Sequence, residues 1–386
     1  MIPQDLSFAF TQIFWWTVPF LVVLGVVVLV HELGHFLAAR ALGIKVEAFS
    51  IGFGPEIAGF HDRSGTRWRL AWIPLGGYVK FKGDENVASM PSAEELETLT
   101  AEQRKGNFHT APLWRRVLVV LAGPFSNFLL GIVIFSGLVL ATGIIYQDAK
   151  ITCVEPDTPA ARAGLEAGDR IVSVAGKPVK SFEDFSIAVK LNARSPIDIG
   201  VDRGGKIMNF VATPELTESE CVGRLGVVGT SKRDDAKVVS AGLGEAVGIG
   251  FQRTWRIIEG PFQFFDQLIR GNACASSLGG PVKIAEVAKS FASEGFLNLI
   301  PLIAFISVSV GLFNLFPIPV LDGGHLLFYG AEAILGRPLN QRAQEIGFQF
   351  GFILLLMLMV FVTWNNIVDI SRGQVPVKRV ESICRK

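Results

Sequence analysis

His31, Glu32 and His35 fall in the stretch HELGH. On a helix, residues four apart share a face, so two imidazoles at this spacing can hold one Zn²⁺ while the glutamate between them reaches a water on the ion. Such a water is acidic enough, with a pKa of about 7, to give its proton to Glu32 at neutral pH and attack a carbonyl. The motif takes two of the five histidines in the chain. A catalytic zinc site keeps three protein ligands and one open position, so a third ligand has to come from elsewhere. Asp322 and His325, in NLFPIPVLDGGHLLF, both have suitable chemistry. As an isolated residue Asp322 would read as a helix N-cap. Pro317 and Pro319 impose extended backbone just before it, and Gly323 and Gly324 permit a tight turn into a following helix. On that reading Asp322 points out of non-helical chain, and His325 already lies on the helix.

HELGH ends an apolar run. From Trp15 to Val30 the only polar side chain is Thr17, and about 20 apolar residues suffice to cross a bilayer. A charged side chain at mid-membrane costs roughly 2.5–3.5 kcal/mol on insertion scales, so ionisable groups there point to function. Four apolar segments predict membrane helices, at about 14–39, 117–146, 296–320 and 346–368. The third is broken by Pro301, Pro317 and Pro319, so its end is expected to be irregular, which membrane depth tolerates only against protein or a wet cavity. Arg40 and Lys45 after the first helix, Arg104, Lys105, Arg115 and Arg116 before the second, and Arg337 and Arg342 between the third and fourth place those loops in the cytoplasm. Both termini and the long loop between the second and third helices are then outside, with the site toward the cytoplasmic side. The basic tail SRGQVPVKRVESICRK is placed outside against its charge.

The chain has 386 residues, 50% hydrophobic and 18% charged, with mean hydropathy +0.42. That is the composition of an integral membrane protein with a soluble part. A net charge of +1 offers no basic footprint for nucleic acid, and the first apolar run is too long for a cleaved signal peptide. The four cysteines show no CxxC spacing, which argues against a thiolate metal site; they read first as small buried hydrophobes, with the alternative that Cys153 and Cys221 are neighbours able to form a disulfide.

The first cytoplasmic loop, 43–113, contains SIGFGPEIAGF and TRWRLAWIPLGGYVKFKGD, two Gly-punctuated stretches that suggest strands lying against the membrane part. Within the outer loop, ITCVEPDTPAARAGLEAGDRIVSVAGKPVKSFEDF alternates strand, short helix and strand. A second helix at about 183–192 and the strands PIDIGVDRGG and KIMNFVATP follow. Residues 151–214 resemble a PDZ domain of the bacterial protease type, most specifically at GLEAGDRIVSVAGKPV, and no second copy follows. Beyond it, EAVGIGFQRTWRIIEGPFQFFDQLIRG mixes apolar, aromatic and basic residues at helical spacing and suits either the membrane interface or packing on the domain.

HELGH and NLFPIPVLDGG together resemble the site-2 protease family of intramembrane zinc metalloproteases, and in particular its bacterial, PDZ-containing branch that cleaves anti-sigma factors. AGPFSN at 122–127, SLGGPVKIA at 277–285 and PLGGYVKFKGD extend the resemblance over nearly the whole chain. It implies one catalytic zinc held by His31, His35 and Asp322, with Glu32 as base and His325 outside the ligand set. It further implies that Asn314 and the Gly76-Gly77 loop lie beside the substrate backbone. The expected fold is an α-helical integral membrane protein with four transmembrane helices, a membrane-associated β-hairpin loop and an inserted α+β PDZ domain. The expected organisation is residues 1–146 and 296–386 as the two halves of the membrane core, 147–232 as the PDZ domain and 233–295 as a post-PDZ amphipathic segment. The implied partners are the lipid bilayer of the bacterial inner membrane, a single-pass membrane protein substrate and a peptide or protein C-terminus at the PDZ domain. A catalytically inactive PDZ scaffold would be expected to lack a ligand or the base, whereas all four residues are present. A transporter would be expected to carry inverted repeats, and none is visible.

Overall fold

The computed structural model describes residues 4–84, 98–146, 149–179, 181–217, 222–229, 237–272 and 280–371. Contacts divide the chain into two compact units. One comprises 1–136, 247–258 and 281–361; the other comprises 137–246, 259–280 and 362–386. The first unit opens with α1 (Gln4–Ala41). A segment with no water to bond must satisfy its amides internally, and helix is the local solution; residues 14–41 of α1 are long and apolar enough to cross a membrane. Gly43, at φ 77°, ends it. β1 (Val46–His61) and β2 (Arg67–Phe81) pair antiparallel. Both strands fold back, so that residues 48–51 are paired on one side with 67–70 and on the other with 77–80. The segment 77–81 is thereby left as an edge. Gly52 and Gly76, at φ 88° and 106°, sit at the bends, where a side chain would be strained. After α2 (Ala101–Arg104) comes α3 (Leu113–Thr142), the second membrane-crossing helix. Phe36 and Ala39 of α1, Phe49 of β1 and Val119 and Val120 of α3 form one buried cluster.

In the second unit, β3 (Ile144–Tyr146) pairs with a later strand. Residues 144–146 are therefore strand, not the helical continuation expected to 146, because Gly143 takes φ 76° and stops α3. β4 (Ile151–Val154), α4 (Pro159–Ala163), β5 (Arg170–Val174), β6 (Lys177–Pro178), α5 (Phe182–Leu191), β7 (Ile197–Arg203) and β8 (Lys206–Ala212) follow. Then come β9 (Glu215–Leu216), β10 (Gly223–Arg224), β11 (Val227–Gly229) and β12 (Lys237–Val239), the partner of β3. The sheet order is β6-β5-β7-β8, with β4 paired to β11. Ile151, Ile171, Ile199, Phe185 and Leu225 fill the space between strands and helices. This is the small α+β domain expected of a PDZ sequence. Cys153 is disulfide-bonded; Cys221, Cys274 and Cys384 lie outside the described residues.

α6 (Leu243–Ile269) carries exposed Leu243, Val247, Phe251 and Trp255 at four-residue spacing. The chain returns to the membrane unit through α7 (Pro281–Ser293), a 3₁₀ turn at Phe296–Asn298, α8 (Leu299–Asn314), α9 (Asp322–Leu335) and α10 (Gln341–Ser371). Residues 296–314 and 342–365 complete four helices apolar enough to span. Regular helix stops at Asn314, six residues before the expected end at 320, and the Pro317–Pro319 segment is irregular as expected. The last helix runs beyond 346–368 at both ends. Val23 and Val27 of α1 pack with Ala288 and Ala292 of α7 and Leu302 and Ile306 of α8. The basic tail beyond Ser371 lies outside the described residues.

The Gly-Asp of GLEAGDRIVSV has a structural origin. Asp169 is 1% exposed. Its carboxylate accepts from Arg203 Nε at 2.7 Å, from Arg203 Nη2 at 2.8 Å and from the Glu166 amide at 2.9 Å. Burial alone would raise its pKa, but the Arg203 hydrogen bonds and charge outweigh that and hold it below the usual carboxylate range. A depressed folded pKa adds stability above the unfolded value of about 3.9, lost as pH falls through the folded one. Asp169→Asn should therefore destabilise this domain by about 1.5–3 kcal/mol at neutral pH. In urea melts the loss should shrink below about pH 4. An unchanged midpoint at pH 7 would remove this role.

Candidate metal centre

HELGH lies about two to three turns before the end of α1, and the Pro-rich segment after α8 delivers Asp322 to it. His31 Nε2 is 3.2 Å and His35 Nε2 3.5 Å from Asp322 Oδ2. The two Nε2 atoms are 3.2 Å apart. One ligand atom from each residue lies within 4.8 Å of the others, and no other such trio occurs among the described residues. Both histidines are 8% exposed. Asp322 Oδ2 is buried and makes no hydrogen bond of acceptable geometry. A buried carboxylate oxygen without a donor is costly; a cation held by the three groups removes that cost. Two imidazoles and one carboxylate are a donor set that suits zinc.

Asp322 reaches the cluster differently from the sequence expectation. It is the first residue of α9, not the end of an extended segment, and Leu321 occupies the cap position. Gly323 and Gly324 are helical and buried, and neither has positive φ. Their requirement is closeness: a Cβ at Gly323 would strike the carbonyls of Leu315 and Phe316, and one at Gly324 would strike Ile318 and Pro319. The left-handed position is Val320, at φ 105°, a strained conformation for a β-branched residue. Gly351 of α10 lies against Pro319, where a Cβ would meet its carbonyl. The segment that aims Asp322 is thus clamped from both sides.

Glu32 lies beside the Val79 backbone N–H on the edge of β2. Gly77 lies over it, since a Cβ at Gly77 would stand 3.4 Å from Glu32 Cγ. Gly76, one residue away, faces the Phe53 ring. The edge strand and the glutamate are therefore brought together. Asn314 is the last residue of α8 and half-buried, with no side-chain hydrogen bond to the described residues. His325 lies on α9 with its ring edge-on to Phe348, 5.6 Å between centroids, and is not one of the converging trio.

Several groups at the site had no assigned role in the sequence reading. His35 Nδ1 meets the Val119 carbonyl at 2.8 Å, and the Asn127 amide is 3.2 Å from His31 Nδ1. Gly34 and Gly123 let α1 and α3 touch; a Cβ at Gly123 would stand 2.9 Å from His31 Cε1 and closer still to His35 Nε2. The signal was available in AGPFSN, since an amide within the uncharged stretch 117–142 of a membrane helix asks the same question as HELGH.

A hydrolytic site of two histidines, a carboxylate and a glutamate, set among helices long enough to cross a bilayer, defines a membrane metallopeptidase. The comparisons agree. The sequence profile described as Peptidase family M50 matches residues 19–358. A provisionally named zinc metalloprotease of Mesorhizobium japonicum is 46% identical over 358 residues, covering 91% of this chain and 98% of the relative. Metalloprotease MmpA of Caulobacter vibrioides is 37% identical over 377 residues, covering 91% and 94%. The solved PDZ domain of the SdrC-like protein of Listeria monocytogenes is 23% identical, with TM-score 0.19, and covers 23% of this chain and 88% of that one. The chain belongs to Peptidase family M50, and it is a zinc metalloprotease of the site-2 type.

Gly123→Ala should push against both imidazoles at once. Purified protein should lose zinc and proteolysis together, while Gly137→Ala, where nothing lies within 4 Å of the new Cβ, should keep both. Full zinc content in Gly123→Ala would refute the close approach.

Proposed function

We propose that this protein is an intramembrane endopeptidase that cuts a peptide bond within the transmembrane segment of a single-pass membrane protein. The observation that carries the reading is the convergence of Asp322, at the start of α9, with His31 and His35 on a helix apolar enough to span. These three residues hold the zinc, and Glu32 is the base. Bound zinc supplies a Lewis acid for the scissile carbonyl and a water of lowered pKa. Glu32, beside the Val79 N–H, takes a proton from the water and returns it to the leaving amine nitrogen.

A substrate helix hides its carbonyls behind its own hydrogen bonds, so it must unwind. The edge at 77–81, next to Glu32, offers backbone groups to an extended segment by β-augmentation, with Gly76, Gly77 and Asn314 along its path. Phe53, Phe60, Trp72 and Ile73 on the same sheet are exposed, in keeping with a membrane-facing hairpin. Resemblance to the PDZ-containing bacterial branch supports an anti-sigma factor, already shortened by a first cut, as the substrate.

In the PDZ domain a groove runs between α5 and the β10–β11 segment, lined by Phe185, Val189, Lys190, Arg224 and Val227. An apolar floor beside Lys190, with Arg224 held by the Glu155 carboxylate, suits a hydrophobic C-terminus, and we assign the peptide site there. The disulfide at Cys153 favours an oxidising compartment for this domain, as does the Lys/Arg bias at the helix ends. We therefore place it, with both termini, in the periplasm, with the enzyme in the inner membrane and the site toward the cytoplasm. A cysteine introduced near Ser89 should be labelled only from the cytoplasmic side and one near Lys206 only from outside; the reverse pattern would invert the chain.

Glu32→Gln should keep zinc and lose cleavage of a membrane-helix substrate by roughly 10²–10⁴-fold. Asp322→Ala should lose the metal as well, whereas His325→Ala should keep it. Metal analysis beside the cleavage assay, with and without chelator, reads all three. Near-normal turnover by Glu32→Gln, or zinc lost from His325→Ala and kept in Asp322→Ala, would overturn the assignments.

A further inference from the structure

We propose that Asn127 is a positioning residue whose side-chain carbonyl accepts a hydrogen bond from His31 Nδ1–H, so that the Nε2 lone pair of His31 points at the metal. The proposal rests on the reading of His31 as a zinc ligand.

Val119, Gly123 and Asn127 follow one another at four-residue intervals on α3, so they lie along one face. His31 and His35 have the same interval on α1. The two helices meet as a ladder. His35 Nδ1 is 2.8 Å from the Val119 carbonyl, which can only accept, so this nitrogen carries the proton and Nε2 is free. Gly123 leaves space for both rings. The next rung is Asn127, whose amide is 3.2 Å from His31 Nδ1.

His31 Nε2 faces His35 Nε2 and Asp322 Oδ2, each at 3.2 Å. For that nitrogen to bind a metal the ring proton must sit on Nδ1, and Nδ1 then needs an acceptor. As placed, Asn127 turns Nδ2 to the ring and leaves Oδ1 buried without a partner. A half-turn about the Cβ–Cγ bond exchanges the two. It gives the orphaned oxygen a donor and fixes the metal-binding tautomer in one move. Partners of this kind orient ligand imidazoles, and losing one typically costs 10–100-fold in metal affinity.

The residue is held for the task. Asn127 is fully buried. Its backbone carbonyl accepts from Ser307 Oγ of α8 at 3.0 Å. At Gly311 of α8 a Cβ would stand 3.1 Å from the Asn127 Cβ, so the bare backbone lets α8 close over it.

The test is a zinc-competition titration on full-length protein in detergent, with the wild type, His31→Ala, Asn127→Leu and Asn127→Asp. Leucine keeps the branched heavy-atom outline, in a somewhat larger volume, and removes the acceptor; aspartate keeps an acceptor and, ionised, cannot donate. The expected order is wild type and Asn127→Asp within about threefold of each other, with Asn127→Leu weaker by about 10–100-fold. A packing role would give the reverse, because leucine suits an apolar bundle and a buried carboxylate does not. Leu binding as tightly as wild type, or Asp falling as low as Leu, overturns the proposal. Zinc retained by His31→Ala would instead overturn the reading of the site on which it rests. A second measurement needs no variant at position 127: ¹⁵N-histidine spectra of the zinc-loaded wild type, assigned by loss of the His31 signals in His31→Ala, should show His31 protonated at Nδ1. A proton on Nε2, or ligation through Nδ1, rejects the role.

Discussion

The structure depends on bringing two imidazole nitrogens and a carboxylate oxygen within a few ångströms of one another inside an apolar helical assembly. In that setting each group is expensive alone. Together they form one cation site, and the lone Asp322 oxygen that lacks a donor is the clearest trace of the ion it is built for. The surrounding features either aim these atoms or let backbones come close enough for the aim to hold.

Closeness is achieved with glycine rather than with polar contacts. Gly34 and Gly123 bring α1 against α3, Gly311 brings α8 against α3, and Gly347 and Gly351 of α10 accept the chain at Phe328 and Pro319. Between membrane helices the hydrophobic effect supplies no drive, since lipid is as apolar as the protein interior, so small residues and close packing carry association. The strain at Val320 is held within the same clamp. Where charges do pair, they lie toward the end of the assembly: Arg116 of α3 reaches Glu332 of α9 at 2.5 Å and 3.1 Å, with Tyr329 beneath its guanidinium.

The PDZ domain is built by a different economy. It has an ordinary aliphatic core, a buried Asp169–Arg203 pair, and helix ends set by Ser181 at a cap and Gly164 in a left-handed turn. Its groove and the edge at 77–81 are two separate places suited to extended peptide. The first is the place we assign to a chain end, and the second lies beside Glu32.

The sequence alone determined the four apolar helices, the PDZ strand pattern and the histidine pair of the site, while Asp322 rather than His325 as the third member came from the family resemblance and is the one the structure brings to the pair. Helical periodicity, hydropathy and the i, i+4 spacing of HELGH are local properties that survive without tertiary information. Only the tertiary structure decided what surrounds the trio. Asp322 opens a helix instead of ending an extended segment, because the backbone of 315–319 packs onto Gly323 and Gly324 too tightly to be read from propensity. Asn127 and Val119 became partners of the histidines through the register of α1 against α3. That register is set by contacts between residues some ninety positions apart, and no local pattern encodes it. Val79 reached Glu32 for the same reason: the doubling-back of β1 and β2 fixes which edge faces the helix.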